Sequence, residues 1–237
     1  MTPVLVYSLL VLLLSPLPAT WADDAVAPAA PAGAGPPQPQ ILDLGGGRFR
    51  IGSVEVDKPQ RTFTVPGRLN LREGPLEYLA AVRHGYKLYE TLVELDCDAY
   101  EFNVACLLIG LDRANGSLPK MHFDPQPVKG DPVQVTIEWQ QDGATKQMSA
   151  EQLIKGFDKV PNVAQGSWVY TGSTILKDGT YLAQHAGPVI GFVHDPAPII
   201  EHSVGVGQGG YGVMSPATDL LPAKGTPMRV RVQAIAK

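Results

Sequence analysis

Two cysteines in 237 residues cannot build a disulfide framework, so this chain must be held together by its core. Charge is sparse as well: Asp, Glu, Lys and Arg make up 18% of the residues, and the net charge is −4. Lysines and arginines are scattered without a basic run, which leaves no electrostatic footprint for nucleic acid or an anionic membrane. Beyond the N-terminus, no apolar run is long enough to span a bilayer. The signatures of common enzymes are missing: there is no G-x-S-x-G elbow, no H-E-x-x-H helix and no C-x-x-C pair. No cofactor is expected.

Residues 1–22 carry the apolar run Val4–Leu14, broken by Ser15, Pro16 and Pro18 and followed by Thr20 and Ala22 before Asp23. A run of about eleven apolar residues is too short for a membrane span, and small residues at Thr20 and Ala22 suit a cleavage site, so the segment reads as a secretory signal peptide. It lacks Lys and Arg, which leaves an uncleaved N-terminal anchor as the alternative. No cysteine follows the cleavage site to carry a lipid. Residues 23–40, mostly Pro, Ala and Gly after Asp23-Asp24, read as a semi-extended tether, with residues 41–237 as one domain beyond it. The expected location is periplasmic or extracellular.

Within that domain the organising stretch is Glu90–Leu111. Val93, Leu95 and Cys97 fall on one face of a strand, and Glu94, Asp96 and Asp98 on the other. Asp98 with Glu101 three residues on forms a D-x-x-E capping box, which starts a helix at Ala99. From Tyr100 to Leu111 apolar side chains point in nearly every helical direction, so the helix must be covered on most sides. This predicts a buried central helix over about 99–111 containing Phe102 and Leu108. Cys97 and Cys106, about two helical turns apart, are expected as buried thiols, with a bridge as the alternative.

Elsewhere, alternation predicts strands within Ile41–Leu71, at Pro132–Trp139, Trp168–Ile175, Thr180–His185, Val189–His194 and Met228–Val232. Leu76–Ala80 and Lys87–Glu90 flank His84-Gly85 as a hairpin, Asp142-Gly143 marks another, Ser149 caps a short helix, and Pro196–His202 suggests a helical turn. Strands in short hairpins with one or two short helices, and no β-α-β alternation, predict an α+β domain with a largely antiparallel sheet.

Several blocks resemble one known family. Gly74-Pro75-Leu76-Glu77-Tyr78-Leu79, then Lys87-x-Tyr89-Glu90-Thr91-Leu92, the helix end Leu107-Leu108-Ile109-Gly110-Leu111, Gly130-Asp131-Pro132-Val133 with Trp139, Trp168-Val169-Tyr170-Thr171-Gly172-Ser173 and His194-Asp195-Pro196 together resemble the YdjY-domain family of exported bacterial proteins. The resemblance covers roughly Leu42 to Val232. It implies an exported domain, with no catalytic residue or cofactor to carry over.

The chemical candidates are few. Gly205-Val206-Gly207-Gln208-Gly209-Gly210 fits G-x-G-x-x-G, but Ser215-Pro216 soon follows where a phosphate-binding loop would open a helix. Gly207, Gly209 and Gly210 therefore read as a surface loop, or else a flap over a ligand. His194, Asp195 and His202 offer two imidazoles and a carboxylate to a metal, with His122 or His185 as further donors, against a plain reading as polar residues at strand ends. Glu94, Asp96 and Asp98 offer carboxylates to Ca²⁺, or are a solvated face with one cap. Ser173 with His194 as base is the one nucleophile pair to weigh. Trp168 and Tyr170 share a strand face and either belong to the core or line a groove for a peptide or glycan. The resulting expectation is a non-catalytic binding or assembly domain whose partner is an envelope protein or glycan. The alternative is a metal-dependent or serine-type hydrolase using Ser173, His194, Asp195 and His202.

Overall fold

Where apolar residues alternate along this chain, they form strands whose greasy side faces inward, and the strands wrap until the sheet meets itself. The computed structural model describes residues 39–156, 168–206 and 210–235. The predicted signal peptide and nearly all of the tether therefore lie outside the described residues. In chain order the elements are β1 (Ile41–Gly45), β2 (Arg48–Ile51), β3 (Val54–Asp57), β4 (Thr62–Leu69), β5 (Tyr78–Val82), β6 (Thr91–Leu95), α1 (Ala99–Leu108), β7 (Asp131–Gln141), β8 (Ala144–Ser149), β9 (Ile154–Lys155), β10 (Trp168–Tyr170), α2 (Leu182–Ala186), β11 (Pro188–Gly191), β12 (Ile200–His202), β13 (Ser215–Pro216) and β14 (Pro227–Ala234).

Eight of these strands close a barrel in the order β4-β14-β7-β10-β12-β11-β5-β6, with β6 returning to β4. In β14, buried Met228, Val230 and Val232 alternate with outward Arg229, Arg231 and Gln233. Register then stacks Val230 between Val65 of β4 and Ile137 of β7. Closure removes free edges, since every strand in the ring has two neighbours.

The ring is completed by a branch in β4. Its first half pairs with β3, matching Phe63 to Val56, and its second half pairs with β6, matching Gly67 to Leu95 and Leu69 to Val93. Gly67 permits the approach, because a Cβ there would stand 2.3 Å from the Glu94 carbonyl oxygen. Beyond the branch, β3, β2 and β1 continue the sheet, while β8 pairs with the far half of β7. A separate two-stranded pairing joins β9 and β13.

The predicted α+β architecture is therefore corrected: the protein is mostly β, built on a closed eight-stranded barrel, and α1 is not its centre. Closure depends on contacts far apart in sequence, including two parallel pairings, β5 with β6 and β11 with β12. The expected His84-Gly85 hairpin is instead a 3-10 turn at Tyr86–Glu90 that lets β6 run alongside β5 in the same direction. The expected helical turn before His202 is β12, drawn out by pairing with β10 and β11. The expected strand at Thr180–His185 holds α2, which ends at Gly187 with φ 101°.

The helix does begin as its sequence dictates. Glu101 N–H donates to Asp98 Oδ1 at 2.8 Å, and Asp98 N–H donates to Glu101 Oε2 at 3.0 Å. Packing against β3, α1 stoppers the barrel near the branch: Phe102 meets Phe63 edge-on at 5.1 Å, and Asn103 Oδ1 accepts the Tyr170 hydroxyl at 2.8 Å. Cys97 and Cys106 are buried free thiols, and burial pushes both thiols up.

Candidate functional site

Three features bear on function: a cluster of buried acids, the residues singled out by sequence, and the outer face of α1. The 3-10 turn before β6 sets Lys87, Tyr89 and Glu90 beside the start of β5, where the Glu77 N–H donates to the Glu90 carbonyl. Both glutamates are 2% exposed. The Lys87 ammonium reaches Glu90 Oε1 at 2.8 Å and the Tyr89 hydroxyl at 3.3 Å, and lies 5.8 Å from the Tyr78 ring centre and 5.6 Å from that of Tyr89. Burial works against this ammonium, yet Glu90 and Tyr89 outweigh it and hold its pKa above the usual lysine value. His122 Nε2 sits 2.9 Å from Glu77 Oε2, with the imidazole lying against Phe123. Burial and the nearby Glu90 push the Glu77 carboxyl up, while His122 and Lys87 oppose the shift.

Deeper in, the Tyr78 hydroxyl donates to Asp195 Oδ2 at 2.6 Å, and Asp195 N–H donates to Glu201 Oε1 at 3.4 Å. Burial, then the Asp195 charge, drives the Tyr78 phenol far above its ordinary value. Glu201 is fully buried, its Oε2 has no hydrogen-bond partner, and burial, reinforced by Asp195, pushes its carboxyl well up. Burial of this kind favours the protonated form of the carboxyl. The cluster is thus a set of internal pairs, Glu77 with His122, Glu90 with Lys87 and Asp195 with Tyr78. The Lys87–Glu90 spacing of three residues was its one local signal; Glu77 and His122 meet across 45 residues, which no local pattern shows.

The sequence-nominated residues are dispersed among other duties. Ser173 Oγ donates to the Ala197 carbonyl and accepts the Ala183 N–H, so it caps α2 from a distance and is held left-handed at φ 62°. The two ring nitrogens of His194 lie 2.8 and 2.9 Å from the carbonyl oxygens of Asp124 and His202. These contacts place neither residue against the other as nucleophile and base. His202 packs edge-on to Trp168 at 5.3 Å, and burial lowers its imidazole pKa to about 4. Among the described residues, no group of three or more His, Cys, Asp or Glu side chains is placed to hold a metal ion. Of the acidic stripe, Glu94 pairs with Arg68 at 2.9 Å and Asp98 is the α1 cap. Trp168 and Tyr170 are 0% and 1% exposed, which puts both in the core. Gly207 and Gly209 lie outside the described residues; Gly210 has φ 126° and open space around it.

The third feature is what α1 leaves uncovered. Ala99, Phe102, Ala105, Cys106 and Ile109 face the barrel and are buried. On the opposite side Tyr100, Val104 and Leu108 are only half-buried and Leu107 is 49% exposed. Tyr100 lies against Tyr181 at 5.3 Å, beside a short hairpin in which Ile175 and Leu176 are also exposed. On the other flank Glu101 packs over Gly52, near Leu42 of the exposed strand β1. The result is a half-covered outer side, with Leu107 exposed, on a helix that its sequence suits to full burial.

The YdjY domain family model matches residues 54–233 of the chain. No curated protein and no solved structure matches it.

Proposed function

The chain belongs to the YdjY-domain family, and from that premise we propose that it is an exported, non-catalytic binding or assembly domain of the cell envelope. It acts periplasmically or extracellularly on an envelope protein or glycan. The observation that carries this reading is the outer side of α1, a rigid, capped helix on which Leu107 is exposed and Tyr100, Val104 and Leu108 are only partly covered by the core. Exposed apolar side chains are common singly, but a contiguous set on one element marks a surface meant to be covered. The acid cluster is paired internally, and its charges brace the wall around β5 and β6. The signal peptide, tether and export reading rest on the sequence of residues 1–40.

The test is site-specific photocrosslinking in the native host, with a photoreactive residue at Leu107 and a control at Lys146 on the polar strand β8. The expected result is a discrete adduct from Leu107 in the envelope fraction and none from Lys146. Equal labelling from both positions, or none from either, overturns the proposal.

A further inference from the structure

We propose that residues 117–129 form a proton-operated lid, closed by two histidine clasps and loosened as those imidazoles lose their protons. This goes beyond the binding reading and does not depend on α1. The segment is an Ω-loop whose neck is tied twice: Ser117 N–H donates to the Lys129 carbonyl at 2.9 Å, and Lys129 N–H donates to Ser117 Oγ at 2.8 Å. Inside it, Asp124 Oδ2 accepts the Lys120 N–H and Oδ1 accepts the Gln126 N–H, which braces the loop from within. The clasps are reciprocal. His122 of the loop reaches Glu77 at the head of β5, and His194 of the wall reaches the Asp124 carbonyl of the loop. Main-chain bonds from Phe123 N–H to the His194 carbonyl and from Val128 N–H to the Ser203 carbonyl complete the seal. Phe123 sits left-handed at φ 59°, a conformation that costs a bulky residue energy and that closure must hold.

The surroundings of His194 make the closed state depend on protons. Both ring nitrogens face carbonyl oxygens, that of Asp124 at 2.8 Å and that of His202 at 2.9 Å, and a carbonyl only accepts. A neutral imidazole has one N–H, and only the imidazolium donates at both nitrogens. His194 is fully buried, so losing the second donor sets a lone pair against a carbonyl oxygen away from solvent. From the loop the Asp124 carboxylate faces the ring, and the Lys120 and Gln126 amides hold its pKa below the usual value. From β12 the His202 imidazole faces it, and burial first, then His194, lowers that group to about 4. At the second clasp Glu77 is faced by Glu90 and Lys87 as well as His122, and its bond to His122 is strongest between imidazolium and carboxylate. An imidazole ordinarily titrates at about 6.5. Closure uses protons on both histidines that the open loop does not need, so the lid is firm below that range and weakens as pH rises through it. On the acid side the limit is protonation of Glu77, whose carboxyl burial and Glu90 push up.

Amide hydrogen exchange on the exported chain, corrected for the intrinsic rate and followed from about pH 5.5 to about pH 8, reads the lid directly. The expected result is that protection of the Phe123 and Val128 amides falls about tenfold over that range, while the Val230 and Val232 amides of β14 keep theirs. His122→Gln retains a donor but not the charge, and makes the dependence shallower without abolishing it. The nitrogen-15 shifts of His194 supply a readout that needs no variant: both ring nitrogens carry protons in the folded chain at about pH 6. Protection of the loop amides that does not change with pH overturns the lid, as does a neutral, singly protonated His194 at about pH 6. A fall shared equally by β14 overturns it too, because the whole barrel is then opening.

Discussion

The two sides of α1 are made of similar residues and have different fates. Phe102, Cys106 and Ile109 are sealed against the barrel, while Tyr100, Val104 and Leu108 are only half-covered and Leu107 stands exposed. The inner side is bound to its own fold through Phe63 and Tyr170. The difference teaches that apolar content says how much of a helix needs cover, not whether the cover comes from the same chain. The first side should govern stability, and the second association.

The sharpest way to break this contrast is Phe102→Ala, which empties a fully buried site against Phe63 and should cost about 3–5 kcal/mol in urea denaturation. A loss below about 1 kcal/mol would mean that the inner side is not anchored as described.

The polar case to set beside it is Glu201, fully buried with one of its two carboxyl oxygens unpartnered. Its folded pKa is raised, so the stability it contributes is complete below the unfolded carboxyl value of about 4.5 and is lost as pH rises towards the folded value. Each unit of elevation corresponds to about 1.4 kcal/mol. Glu201→Gln mimics the protonated form and should match the wild type in acid and exceed it above neutrality. Parallel stability curves for the two proteins between pH 5 and 8, the range over which the comparison is made, would show that Glu201 ionises without penalty.

Removing the cap with Asp98→Ala should cost about 0.5–2 kcal/mol, because it strips one side of the capping box while leaving both faces intact. A loss of Phe102 size would point to a role for Asp98 beyond the cap. The smallest expected effect is that of Leu107→Ser on unfolding of the single chain, within about 0.5 kcal/mol. If it destabilises the isolated chain as much as Phe102→Ala, the two sides of α1 are equivalent and the contrast fails.

Much of the local structure was legible in the sequence. The Asp98-x-x-Glu101 box, the alternation of Val133, Val135, Ile137 and Trp139, the Asp142-Gly143 turn and the Ser149 cap with Gln152 depend on neighbours a few residues apart, and each appears as expected. The family too was legible, from blocks spread over most of the chain. The candidate site was much less so. Trp168 and Tyr170 alternate just as residues lining a groove would, and only their position inside a closed ring settles them as core. His194 and His202 sit in a stretch rich in ligand-type residues, yet backbone carbonyls and an indole take them up. The pairing of Glu77 with His122 had no local signal at all.

By itself, the sequence determined which segments alternate, where α1 is capped, and that this helix is too apolar to stand in water unaided. Those properties come from covalent geometry and the hydrophobic effect acting over a few residues. Only the tertiary structure decided that the strands close into a barrel, that α1 lies at its end with one side open, and that Glu201 is sealed without a counter-charge. Register between distant strands sets each of these, and the closing contact of Gly67 with Leu95 exists only once both strands are already in place.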